Sequence, residues 1–192
     1  MTGQRIHFTM PQRALHWLMA IMLLAMLFIG VGMVSTVGPQ YVALLATHKT
    51  LGVAILALAL IRLVVRLCSG APALPANLPG AMKLVAHLSH YALYFFMIAM
   101  PVLGWGMMSA AAYPILLFGG LQLPPILPQS AVLQAVLWKA HFYFAFAFFG
   151  LILLHIAAAL FHAFIRRDGV FESMAPLPIH DHAPSAQVHP AE

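Results

Sequence analysis

Along the chain, long apolar runs alternate with short breaks rich in proline and glycine. Four runs approach the roughly 20 residues needed to cross the hydrocarbon of a bilayer. They cover about 14–34, 48–67, 84–108 and 136–165. Gly38-Pro39 closes the first connection, and Pro72, Pro75, Pro79 and Gly80 break the second. The third, 109–135, carries Pro114, Pro124, Pro125 and Pro128. It is too apolar for a flexible linker and is expected to lie on the membrane surface. From about Pro176 the chain turns polar and bears Pro and His, which predicts a disordered tail. The first run is longer than a signal-peptide core and has no small-residue cleavage site after it, so it reads as a retained helix. The pattern predicts an all-α membrane protein: a four-transmembrane-helix bundle over 1–175 and a tail over 176–192.

Composition agrees. Charged residues make up 7% of the 192 positions and hydrophobic ones 63%, whereas a soluble domain carries about 25% charged residues. The acids are Asp168, Glu172, Asp181 and Glu192, all C-terminal, so the net charge of +5 reflects missing acids more than a basic surface. Clustered Lys and Arg interleaved with aromatics are absent, which argues against a nucleic-acid partner.

With the N-terminus inside, Arg5, Arg13, Arg62, Arg66, Lys83, Arg166 and Arg167 fall on the cytoplasmic side. Only Lys49 and Lys139 fall outside, so the positive-inside rule predicts that both termini are cytoplasmic. Trp17, Trp105 and Trp138 lie near run ends, as interfacial aromatics do. The single cysteine, Cys68, rules out an intrachain disulfide, and no C-x-x-C-H motif is present for covalent haem.

The chemistry lies in the histidines. Ionisable side chains within a span are costly and point to function, and neutral imidazole is a good iron ligand. His16 falls near the cytoplasmic start of the first helix, and His48 at the outer start of the second. His141 falls near the outer start of the fourth, and His155 lies 14 residues further on. That step is close to four turns, or about 21 Å, so both point the same way at two depths. Two bis-histidine sites follow: His48 with His141 outside, and His16 with His155 inside. His87, His90 and His162 lie at the cytoplasmic rim, where they either line a polar pocket or supply a substitute ligand. The other reading is that the histidines only hydrogen-bond across helices in a haem-free scaffold. His7, His180, His182 and His189 fall outside the membrane and read as solvated.

Anionic haem propionates need cationic or hydrogen-bonding partners. Lys49 and Lys139 flank the outer pair; they either neutralise propionates, draw an anion toward the haem edge, or are ordinary interface lysines. On the inside, Arg13 lies one turn before His16, with Arg62, Arg66 and Arg166 at the same level. The glycines Gly30, Gly32, Gly52, Gly104, Gly106 and Gly150 allow either close helix contact or room for a flat macrocycle. Pro101 is expected to bend the third helix.

At these residues the sequence resembles the prokaryotic cytochrome b561 family. The matching stretches are Arg13-Ala-Leu-His-Trp17, His48-Lys-Thr-Leu-Gly52, Arg62-Leu-Val-Val-Arg66, Ala86-His-Leu-Ser-His90, His141, and His155 through His162. The similarity covers about residues 8–175. It implies a four-helix bundle holding two non-covalent b haems, with His16, His48, His141 and His155 at the family's ligand positions.

The family includes superoxide oxidases of the bacterial inner membrane, which pass electrons from periplasmic superoxide to ubiquinone. Related four-helix cytochromes serve as membrane subunits of hydrogenases and formate dehydrogenases. The resemblance therefore implies a superoxide:ubiquinone oxidoreductase in the bacterial inner membrane. Lys49 and Lys139 would attract superoxide, Arg13 would hold a propionate, and His87, His90 and His162 would border quinone. The alternative is an electron-relay subunit docked to a redox protein partner. Without a mid-membrane carboxylate relay, an ion transporter is disfavoured.

Overall fold

The computed structural model describes residues 7–118 and 120–176. The expected tail, apart from Pro176 itself, and with it His180, His182 and His189, lies outside the described residues. Four helices carry the fold: α1 (Met10–Ser35), α2 (Gln40–Ser69), α3 (Gly80–Ala110) and α4 (Ala131–Leu160). All four are long and apolar enough to cross a membrane, the last together with a π-helical stretch, Phe161–Arg166.

The helices extend past the apolar runs. α1 begins where the Gln12 side chain accepts from the Thr9 N–H at 3.0 Å, meeting one of the first-turn donors left over by helix geometry. The amide of Gln12 donates in turn to the Gly70 carbonyl at 2.8 Å, tying the start of α1 to the end of α2. Gly70 has φ 69°, a left-handed value that a residue with a Cβ adopts only at a cost. α2 starts at Gln40, so His48 stands two turns inside the helix rather than at its start. Its first residues are uncharged and continue the helix at little cost. α4 is capped by Ser130, whose side chain accepts from the Leu133 N–H, and His141 lies ten residues further in. α3 runs through Pro101 as a single helix.

The connection after α3 departs from an all-helical pattern. It folds into an antiparallel pair of two-residue strands, β1 (Ile115–Leu116) and β2 (Gln122–Leu123), with Ile115 opposite Leu123. The Phe118 N–H donates to the Thr50 hydroxyl at 3.4 Å, so this hairpin reaches α2 two residues beyond His48. At the opposite end the two ends of the described chain meet. The Phe8 N–H donates to the Ser173 carbonyl, and the Trp17 indole to that of Met174.

Direct helix packing runs α1 on α2, α2 on α3, and α3 on α4. The buried core takes residues from every helix: Met19, Ala59, Met97, Phe148 and Ile152. Phe148 sits seven residues from both His141 and His155 and stacks on Phe96 at 5.4 Å. The core thus fills the middle of the bundle and leaves one histidine level on each side.

Candidate functional site

His16 of α1 and His155 of α4 face each other with ring centres 6.2 Å apart and planes at 68°. His48 of α2 and His141 of α4 do the same at 6.1 Å and 65°. An imidazole nitrogen binds a first-row metal at about 2 Å, and it lies about 1 Å from its ring centre. Two imidazoles on opposite sides of one metal therefore have centres about 6 Å apart. Both pairs match that spacing.

Among the described residues, no group of three or more His, Cys, Asp or Glu is arranged to hold a bare metal ion. Each facing pair offers two nitrogens, with His90 beside His155 at the inner level; two suit a metal whose remaining positions are already filled by a macrocycle. The Nδ1 atoms of His48 and His141 are buried without a hydrogen-bond partner. The Met100 carbonyl lies close to His141, but outside hydrogen-bond geometry. An unmet buried nitrogen costs free energy, which a group bound between the two rings would offset. Gly104 makes room for His141: a Cβ there would stand 3.4 Å from the imidazole Cε1.

The rim residues separate. His90 comes within 5.6 Å of His155, ring centre to ring centre, and its Nδ1 is engaged by the Ala86 carbonyl one turn back. His87 is exposed, with its Nδ1 held by the Lys83 carbonyl at 2.8 Å. His162 lies in the π-helical stretch, and its Nδ1 contacts Asp168 at 2.9 Å. Arg166 donates to the same carboxylate at 2.9 Å. No hydrogen bond or ring contact joins His162 to His87 or His90 among the described residues.

Burial works to raise the Asp168 pKa, but hydrogen bonds from Arg166 and His162 outweigh it and hold the carboxyl below its usual range. This acid–base cluster was not apparent from the sequence. An acid six residues after a histidine becomes its neighbour only because the helix end widens and the chain turns back through Arg167, at φ 49°.

Arg13 donates to the Pro176 carbonyl at 3.3 Å, while its Nε has no partner. Lys49 is half-buried one residue beyond His48, and Lys139 is exposed two residues before His141. A cleft of about 530 Å³ opens between the end of α3 and the hairpin, lined by Trp105, Ser109, Tyr113, Gln122 and Pro124 among others. The Trp105 indole donates across it to the Pro124 carbonyl at 2.9 Å.

The family model for prokaryotic cytochrome b561 matches residues 7–176. The chain is 30% identical to cytochrome b561 homolog 2 of Escherichia coli (strain K12) over 164 residues, 84% of this chain and 87% of the relative. It is 26% identical to cytochrome b561 homolog 1 of the same organism over 174 residues, 88% and 97% of the two chains. A protein of Yersinia pestis named as a probable superoxide oxidase, CybB, is 27% identical over 129 residues, 67% of this chain and 73% of that one. Four membrane-length helices with histidines facing in pairs, and a family match over nearly all the described residues, lead to one assignment: the chain belongs to the prokaryotic cytochrome b561 family, multi-pass bacterial membrane proteins that bind b-type haem and transfer electrons.

Proposed function

We propose that this protein oxidises superoxide on the periplasmic side of the bacterial inner membrane and reduces ubiquinone within it, using two b haems. The observation that carries the reading is the spacing of the two histidine pairs, 6.1 and 6.2 Å between ring centres. His48 and His141 hold the outer haem, and His16 and His155 the inner one. When bound, b haem supplies a one-electron couple. The chain's own residues orient the imidazoles, and the Met19, Phe148 and Ile152 core keeps water out from between the two levels.

Two superoxide anions give up one electron each and leave as dioxygen. Ubiquinone gains both electrons and takes up two protons to become ubiquinol. Lys49 and Lys139 raise the local concentration of the anion. Arg13 supports a propionate, and His87, His90 and His162 border the quinone. Asp168 holds His162 at Nδ1 and so fixes the orientation of its ring. The protein of Yersinia pestis named as a probable superoxide oxidase supports the substrate, and the count of cations at the two ends of the helices supports cytoplasmic termini.

The test is a reduced-minus-oxidised spectrum with pyridine haemochrome quantitation, followed by addition of superoxide to the oxidised protein. Two b haems per chain, reduced by superoxide and reoxidised by ubiquinone, are expected. A chain with two haems that superoxide does not reduce would turn the reading to an electron-relay subunit. Two relatives named only as cytochrome b561 homologues leave room for that role.

A further inference from the structure

Arg62 lies 14 residues after His48 on α2, the same step that separates His141 from His155 on α4. It therefore shares the face of His48, about 21 Å further along the helix, and stands at the inner histidine level. Its Nε donates to the Tyr94 hydroxyl at 3.2 Å, and its Nη1 is buried with no hydrogen-bond partner. Tyr94 in turn packs against the central core.

A guanidinium inside a membrane bundle is costly unless an anion meets it. Among the described residues no carboxylate does so. The first 167 residues contain no acid; of the two described carboxylates, Asp168 is engaged by His162 and Arg166, and Glu172 has a buried Oε2 that meets no hydrogen-bond donor. The other cations at this end have acceptors: Arg66 donates to the Gly70 carbonyl and lies over the Phe8 ring, Arg166 reaches Asp168, and Arg13 reaches Pro176. Among the described residues Arg62 donates to a phenol, that of Tyr94. Its buried Nη1 is left open to an anion carried by a bound group.

We infer that Arg62, supported by Tyr94, is the binding site for a propionate carboxylate of the inner haem, and that it sets that haem's reduction equilibrium apart from the outer one. The inference rests on the di-haem reading. Tyr94 accepts from Nε and so orients the guanidinium, leaving Nη1 for the carboxylate. With its charge compensated, the carboxylate no longer favours the oxidised, more positive form of the haem.

The test is a spectroelectrochemical titration of the full-length holoprotein in lipid nanodiscs, comparing wild type, R62Q, R62K and Y94F. R62Q is expected to shift one haem about tenfold toward its oxidised form, about 59 mV for a one-electron couple, and to leave the other unchanged. R62K should restore most of the shift, and Y94F should move the same haem the same way by about threefold. Two bound haems with unchanged potentials in R62Q would overturn the inference, as would an equal shift in both. A shift that vanishes in lipid-free detergent would overturn it too, by assigning the anion to a lipid phosphate. If R62Q does not accumulate, Y94F decides, and an unmoved potential there counts against the assignment. A wild type with fewer than two haems would instead sink the di-haem reading itself.

Discussion

The ring of His90 stands 5.6 Å from that of His155, closer than the 6.2 Å between His155 and His16. Three imidazoles thus crowd the inner level, and helix packing distinguishes them. α3, which carries His90, packs directly on α4, whereas α1 packs directly on α2 and has no comparable packing on α4. A flat macrocycle needs a gap between the helices that ligate it. His16→Ala is therefore expected to lose one of two haems in pyridine haemochrome analysis, and His90→Ala to keep both. The opposite pattern would make His90 the inner ligand.

Lys49 and Lys139 flank the outer pair from two different helices. If they attract an anion, replacing both with Gln should slow haem reduction by superoxide by about tenfold at low salt. The difference should shrink as salt screens the charges over a Debye length of about 10 Å at 0.1 M. Stopped-flow reduction at several ionic strengths measures both effects. Equal rates for variant and wild type at low salt would remove the lysines from the mechanism.

Gly104 gives a selective handle on the outer site. A Cβ there just touches His141, at 3.4 Å from Cε1, and the further methyls of valine have to push the ring. Gly104→Ala should alter the spectrum of one haem while keeping two bound. Gly104→Val should displace that haem and cost about 1–3 kcal/mol through overpacking. Chemical denaturation and haem counts on the two variants read these effects separately.

Asp168 predicts a pH dependence. Its carboxyl has a lower pKa in the folded chain than its ordinary value, because Arg166 and His162 hold it against the opposing effect of burial. The stabilisation is therefore full above the unfolded pKa of about 3.9 and fades as pH falls through the folded value. Asp168→Asn should cost about 1–3 kcal/mol at neutral pH and progressively less in acid below that unfolded value. Thermal melts of wild type and variant should converge in that window. Parallel curves would mean that the carboxylate's charge contributes nothing.

Much of the fold was legible in the sequence because a bilayer demands long apolar runs and the chain supplies four. The pairing of histidines was legible too, since a 14-residue step fixes both face and depth. Helix ends were less so: uncharged residues such as 40–47 extend α2 without adding a strong apolar signal, which buried His48 two turns deeper than expected. The short β1–β2 pair hides in a stretch rich in proline and leucine, where two-residue strands have no period to detect. The engagement of Asp168 by His162 depends on a π-helical stretch, which no local pattern announces. Arg62 was visible as a cation at the inner level, but that no described carboxylate meets it emerged only from its surroundings.

One helix, α4, carries an imidazole for each level with Phe148 midway between them. That makes α4 a ruler with two marks, and its spacing is counted in whole residues. A single residue inserted between 142 and 154 would lengthen the ruler by only about 1.5 Å, yet it would turn one mark by about 100° away from its partner. This segment can therefore change its side chains more freely than its length.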